Sequence, residues 1–143
     1  MSIEKINPTI HENEQALTDE ELNGVNGGAI IYAKPGEKTY GTDGDDIIYG
    51  TGGDDLIVGG RGNDIIYGGG GNDQIFAGDG ADTIYGGSGV NTIWAGSGAD
   101  TIYTGSGADT IYGGTGNDTL SGGADNDILD GSLGGNNTYI GGT

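Results

Sequence analysis

Nine aspartates stand at the same position of a nine-residue repeat that fills most of this chain. From Gly41 the sequence divides into ten consecutive nine-residue units, and position 6 of every unit except one is Asp. These residues are Asp46, Asp55, Asp64, Asp73, Asp82, Asp100, Asp109, Asp118 and Asp127, with Asn91 as the exception. Carboxylate oxygens are ligands for hard cations, so this spacing predicts a row of cation sites.

Calcium is the cation that these residue types favour. It accepts several oxygen ligands, main-chain carbonyls included, whereas magnesium demands stricter octahedral geometry and keeps its waters. Zinc prefers nitrogen and sulfur ligands, and the chain has no cysteine and one histidine. From Ala29 onward 16 acids and 3 bases give a net charge of −13, which about six or seven divalent ions would neutralise. We therefore expect several Ca²⁺ ions, roughly six to eight per chain.

A short strand in each unit must hold these carboxylates in place. Positions 7 to 9 are mostly β-branched, aliphatic or aromatic, which favours a strand, and side chains along a strand alternate between its two faces. Position 8 is always aliphatic and is expected to face the core. Its residues are Ile48, Ile57, Ile66, Ile75, Ile84, Ile93, Ile102, Ile111, Leu120 and Leu129.

The first six positions of each unit form a glycine-rich turn. Glycine permits positive φ and leaves carbonyls free to converge on an ion. Two strand-and-turn units make one coil of 18 residues, so the ten units predict five coils. A merely solvated acidic turn is the alternative, because Asp and Asn are common in turns for local reasons. Nine aspartates in fixed phase favour ion binding.

Three of the units carry the likeness to a known repeat most clearly. They read GGRGNDIIY from Gly59, GGGGNDQIF from Gly68 and GGTGNDTLS from Gly113. The array resembles the RTX (repeats-in-toxin) nonapeptide GGxGxDxUx over about 100 of the 143 residues. The resemblance implies an all-β fold, a right-handed parallel β-roll (β-solenoid) with two short strands per 18-residue coil.

The resemblance also implies how the ions are held. In that family calcium lies between the turn of one unit and the turn two units later, bound by position 6 carboxylates and turn carbonyls. Asp46 would then share an ion with Asp64, and Asp64 with Asp82. The sites beside Asn91 and Asn137 depart from the pattern and are expected to be weak. Because the aliphatic core is thin and the stacked acids repel, we expect an unfolded apo form and a folded calcium form.

Residues 1–28 have a different character. Thr18 and Glu21 form a capping box, so a short helix is predicted to start near Asp19. The residues Leu17, Glu21, Leu22, Val25, Gly27 and Gly28 resemble the double-glycine leader of bacteriocin-like secreted peptides. The resemblance implies an ABC exporter whose leader peptidase cuts after Gly28. A capped helix covering the end of the roll is the alternative. Residues 29–40 are expected to be a linker or N-terminal cap, and residues 41–143 the roll.

The outer strand faces carry aromatic residues at position 9. One face has Tyr49, Tyr67, Tyr85 and Tyr103, and the other has Val58, Phe76, Trp94 and Tyr112. These residues are either good strand formers packed on their neighbours or a contact surface for polysaccharide or another roll. No obvious cap follows Ile140, so end-to-end self-association is also expected.

Composition excludes several functions. With 22 acids and 4 bases, the chain lacks the basic patch that nucleic acid requires. No run of about 20 apolar residues is long enough for a membrane span. No His or Cys follows Gly28, which argues against an enzyme. We therefore expect a secreted, extracellular calcium-binding module with a structural, adhesive or matrix role, the alternative being an ice-binding or carbohydrate-binding module.

Overall fold

The computed structural model describes residues 27–142 of the chain. Those residues form thirteen short strands and no helix, and none of their elements is a helix that could cross a membrane. The helix predicted to start near Asp19 lies outside the described residues. The part of the chain that carries the repeats is thus entirely β-structure, as the sequence predicts.

The strands are three to six residues long and recur about once per nonapeptide. Their bounds are β1 Ile30–Tyr32, β2 Lys38–Tyr40, β3 Ile47–Tyr49, β4 Leu56–Arg61, β5 Ile65–Gly69, β6 Gln74–Asp79, β7 Thr83–Ser88, β8 Thr92–Ser97, β9 Thr101–Ser106, β10 Thr110–Tyr112, β11 Thr119–Ser121, β12 Ile128–Asp130 and β13 Thr138–Ile140. Each strand starts near position 7 because the β-branched and aromatic residues start there.

The strands alternate between two parallel sheets. Odd-numbered strands form a seven-stranded sheet and even-numbered strands a six-stranded one. Neighbours within a sheet mostly pair 18 residues apart, as Ile48 does with Ile66. The β1–β3 pair, Ile30 with Ile47, spans one residue fewer, and the last pair, Thr119 with Thr138, spans one residue more. The fold is a parallel β-solenoid of about six turns with two strands per coil.

The additional turn beyond the five expected comes partly from residues 30–40. β1 pairs with β3 and places Ile31 opposite Ile48, and β2 pairs with β4 and places Thr39 opposite Ile57. This segment, for which a linker or cap was expected, therefore begins both sheets. It contains no aspartate and a single glycine, Gly36, but its strand-forming residues lie at nearly the same spacing.

The core is a single stack of position 8 side chains between the two sheets. Nine of the ten predicted residues are fully buried, and Ala77 and Ala95 from position 1 join them. Leu129 is only partly buried because β12 is the last strand of its sheet. Each unit contributes one large aliphatic side chain and successive units lie in opposite sheets, so each sheet supplies one file of side chains to this stack.

The turns depend on positive φ at fixed positions. At position 4, Gly62 has φ of +108°, and a Cβ there would collide with the carbonyl of Gly44 one coil earlier. Asp125 occupies the same position in the tenth unit and is the one non-glycine residue with positive φ among residues 27–142. Its carboxylate accepts a hydrogen bond from the Gly107 N–H at 3.1 Å, which supports this uncommon conformation.

Candidate metal sites

The strand register stacks the position 6 side chains into two columns inside the turns. One column contains Asp46, Asp64, Asp82, Asp100, Asp118 and Asn137, and the other contains Asp55, Asp73, Asn91, Asp109 and Asp127. All of the aspartates except Asp127 are at most 5% exposed. The carboxylates predicted as ligands are therefore buried, and they lie one coil apart.

One oxygen of each position 6 side chain is held by the main chain. Oδ1 of Asp64 accepts a hydrogen bond from the N–H of Asp46, one coil earlier, at 2.8 Å. The same bond recurs along both columns at 2.7–3.0 Å. Amide donors to a carboxylate form charge-assisted hydrogen bonds, so this ladder fixes the orientation of every carboxylate in the array.

The second oxygen of the central carboxylates has no partner. Oδ2 is buried without a hydrogen bond in Asp64, Asp73, Asp82, Asp100, Asp109 and Asp118. A buried carboxylate oxygen is costly unless it is paired with a cation or protonated. The donor set fits calcium, because each turn offers an orphaned carboxylate oxygen and main-chain carbonyls but no nitrogen or sulfur ligand.

The pKa values of these carboxyls show the same cost. Burial raises the pKa of Asp64 and of Asp100 to about 7. It raises the pKa of Asp73 and of Asp82 to about 6, and it also raises the pKa of Asp109. The ladder N–H offsets part of this effect, and nearby carboxylates add to it in most of these turns. A divalent ion would stabilise the ionised form.

The first two predicted ligands are satisfied differently. Oδ2 of Asp46 accepts a hydrogen bond from the Thr42 N–H at 2.6 Å, and Oδ2 of Asp55 accepts one from the Thr51 N–H at the same distance. Both threonine hydroxyls also lie within 3.1 Å of these carboxylates. The sequence signal was present, because position 2 is Thr in the first two units and Gly in all the others.

A second ladder, which was not predicted from the sequence, runs along position 5. Its side chains accept hydrogen bonds from the position 5 N–H one coil later at 2.7–2.8 Å. The acceptors are Asp45, Asp54, Asn63, Asn72 and Asn117. Asp or Asn at position 5 in most units was the available signal. This exposed ladder links successive turns without a metal ion.

Across residues 27–142, no three acidic or histidine side chains come together as a metal-ligand group. A calcium ion needs more oxygen ligands than two stacked carboxylates supply. An ion in these turns would therefore require main-chain carbonyls beside the carboxylates.

The position 9 aromatic residues are stacked in register; the tyrosines are exposed, whereas Phe76 and Trp94 are half-buried. Tyr32 joins the ladder of Tyr49, Tyr67, Tyr85 and Tyr103, with ring centroids 5.0–5.6 Å apart and ring planes within 16° of parallel. Phe76, Trp94 and Tyr112 stack on the opposite sheet. Each inner ring is covered on both faces by its neighbours, so the ladders present ring edges and hydroxyl groups to solvent.

Comparison with known families agrees with the repeat pattern. A family model for the RTX calcium-binding nonapeptide repeat matches four times, at residues 40–75, 67–102, 76–111 and 103–137. A search of curated proteins found no match. The double-glycine motif lies outside the matched residues.

Proposed function

The chain belongs to the RTX calcium-binding nonapeptide repeat family, and on that premise we propose a secreted protein whose roll folds when it binds calcium outside the cell. One observation carries the proposal: six buried Oδ2 atoms have no hydrogen-bond partner. Without a cation, folding must either leave these charges desolvated or protonate them. Calcium binding and folding are therefore one equilibrium.

The proposed ligands are the position 6 aspartates together with the carbonyls of their turns. The six residues with an orphaned oxygen have the strongest need for an ion. Asp46 and Asp55 already accept protein hydrogen bonds, and Asp127 lies at the exposed end of its column. Roughly six to eight ions per chain remain the expected number.

Extracellular folding fits a route in which an unfolded chain is exported and then meets calcium. We assign this export to an ABC exporter whose peptidase removes residues 1–28. The cut would leave Ala29 as the new N-terminus, and its nitrogen lies 2.7 Å from Asp46 Oδ1. An ammonium at that point would pair with the carboxylate. Mass spectrometry of secreted protein should find a chain that begins at Ala29, and a secreted chain beginning at Met1 contradicts the cut.

The proposed role outside the cell is structural, adhesive or matrix-forming rather than enzymatic. The ends of the rod support self-association. Ile30 and Tyr32 are more than half exposed on the edge strand β1, and Tyr139 and Ile140 are exposed on β13 at the other end. Free strand edges with apolar side chains favour pairing with another chain. Sedimentation of the calcium-loaded protein over a concentration series tests this association.

Ice binding is a second candidate, supported by a file of threonines in register. Thr83, Thr101, Thr119 and Thr138 are neighbours in successive parallel strands on the outer face of the seven-stranded sheet. A thermal-hysteresis assay of the calcium-loaded protein separates this function from the first. Polysaccharide binding has less support, because the inner aromatic rings cover one another and leave few faces on which a sugar could stack.

A calcium titration followed by circular dichroism tests the main proposal. The full chain should have little β-structure without calcium and should gain a cooperative β signal as calcium is added. Magnesium at the same concentrations should produce much less, because it keeps its waters and demands octahedral geometry. A chain that shows no calcium-induced β signal would overturn the proposal.

A further inference from the structure

The side chain of Asn91 differs from the aspartates of the other turns in one heavy atom, a nitrogen in place of an oxygen. Oδ1 of Asn91 accepts the ladder hydrogen bond from the Asp73 N–H at 2.9 Å, as an aspartate would. Its Nδ2 lies where the other turns have Oδ2. A Cβ built on Gly86, the first residue of this unit, would lie 3.2 Å from Nδ2, and one built on Gly59 would lie 2.6 Å from Asp64 Oδ2.

This exchange replaces a charged acceptor with a neutral donor. Asn91 is fully buried, yet its turn carries no desolvated charge. Its Nδ2 lies 3.4 Å from the carbonyl oxygen of Gly89 in the same turn. Because amide hydrogens carry partial positive charge, they complement a carbonyl and repel a cation. The side-chain amide of Asn91 thus takes the place of the cation that an orphaned carboxylate oxygen requires in the other turns.

Asn137 makes the same arrangement at the end of the other column. Its Nδ2 donates hydrogen bonds to the carbonyl oxygens of Gly131 at 2.6 Å and Gly134 at 3.1 Å. Its Oδ1 accepts the ladder hydrogen bond from the Asp118 N–H at 2.7 Å. Two turn carbonyls that could face an ion instead face an amide.

The turns of the first two repeat units also have a protein donor in place of an ion, but here the donor is a main-chain N–H. Thr42 and Thr51 give their N–H groups to Oδ2 of Asp46 and Asp55. In the later units position 2 is glycine, and Gly60 has φ of +115°. Neither threonine has positive φ, so its peptide can direct the N–H at the carboxylate. Both carboxylate oxygens of these two aspartates therefore accept hydrogen bonds from protein donors.

We propose that four turns of the roll are closed without a cation by protein donors, namely those of Thr42, Thr51, Asn91 and Asn137. Calcium is then expected in the remaining turns, above all those of the six aspartates with an orphaned oxygen, and the Asn91 turn interrupts one column. This inference rests on the proposed calcium function and deepens it, because it assigns which turns need the ion.

The test compares calcium stoichiometry, measured by native mass spectrometry and isothermal titration, among the wild-type chain and three variants. Asn91→Asp restores the carboxylate and should bind at least one more calcium ion per chain. Asn72→Asp is the matched control, since it adds the same charge at an exposed position where Oδ1 accepts only the Val90 N–H. It should bind the wild-type number. Asp64→Asn copies the amide into an ion-requiring turn and should bind at least one ion fewer.

The outcomes separate this inference from the function on which it rests. If wild type binds calcium but Asn91→Asp gains no ion, or if Asn72→Asp gains as many, the cation-free Asn91 turn is refuted. If wild type binds no calcium, the proposed function itself fails. Circular dichroism at saturating calcium establishes that each variant is folded. A variant with too little β signal is replaced by Asn137→Asp, for which the same gain is expected and whose failure to gain an ion counts equally against the proposal.

Discussion

The strands and the turns of each repeat unit are stabilised in opposite ways. In the strands, position 8 places a fully buried aliphatic side chain on the stack, and the main chain pairs in register with the strands beside it. In the turns of six of these units, a buried carboxylate oxygen receives no hydrogen bond. Every central coil therefore has strands that are stabilised without metal and at least one turn whose carboxylate requires a cation or a proton.

This difference explains why calcium should control the whole rod. A solenoid coil contacts only its neighbours, so its stability is approximately a sum of local terms. When most coils carry the same unfavourable turn, the cost is distributed over the full length and cannot be avoided by unfolding one end. The thin aliphatic stack must then offset the cost of the buried carboxylates in each coil separately.

Removal of calcium has the largest expected effect. Excess EDTA added to the calcium-loaded chain should abolish the β signal and make the repeat region sensitive to protease, because the turn carboxylates lose their counter-charge. Renewed calcium should restore both. Retention of ordered strands under EDTA would show that the turns do not depend on the ion, which would remove the contrast with the strands.

Acid should partly replace calcium in the turns. The folded pKa values of Asp64 and Asp100, about 7, lie above the ordinary value of 3.8, so the folded state binds more protons than the unfolded state between those values. The stability that protonation adds to the calcium-free roll is therefore fully present below about pH 4 and is lost as pH rises through about 7.

Circular dichroism of the EDTA-treated chain between pH 8 and pH 4 measures this dependence. The β signal should increase as the pH falls, whereas calcium affinity should decrease over the same range because protons compete for the carboxylates. A calcium-free chain with the same signal at both ends of the range would contradict the argument.

Truncation of a core side chain tests the contribution of the strands to stability separately from that of the turns. Ile84→Ala should lower the free energy of unfolding at saturating calcium by about 2–5 kcal/mol, because it leaves a cavity in a thin aliphatic core. Thr83→Ala, on the outer face of the same strand, is the control and should cost about 0.5 kcal/mol or less. Urea unfolding measures both. Equal losses of unfolding free energy for the two variants would contradict the assignment of Ile84 to the core.

The aromatic ladder has the smallest expected effect. Tyr67 stacks on both Tyr49 and Tyr85 with ring centroids 5.0 Å apart, whereas Tyr103 stacks on Tyr85 alone. Tyr67→Ala should therefore cost about 1–2 kcal/mol and Tyr103→Ala about half as much. Urea unfolding with calcium present distinguishes them. If neither substitution lowers the free energy of unfolding, the ladder does not contribute to strand stability. The repetition of aromatic residues along one face would then favour a contact surface.

Much of the fold could be predicted because the repeat is periodic. A period of 18 residues per coil places position 8 of every unit in the core and position 6 of every unit in a turn, and the structure agrees for both positions. Residues 30–40 were harder to predict because they contain no aspartate and only one glycine, Gly36. They become strands β1 and β2 only by pairing with β3 and β4, a contact that local sequence does not encode.

The sequence by itself determined the strands of the repeat units, the buried aliphatic stack and the alignment of the carboxylates in two columns, because each follows from residue type and period. Only the tertiary structure decided which carboxylate oxygens have partners. Oδ1 depends on an N–H one coil away, and Oδ2 depends on the backbone conformation at position 2 of its own turn. The cost of an unpaired charge arises from burial, and burial exists only when the coils are stacked.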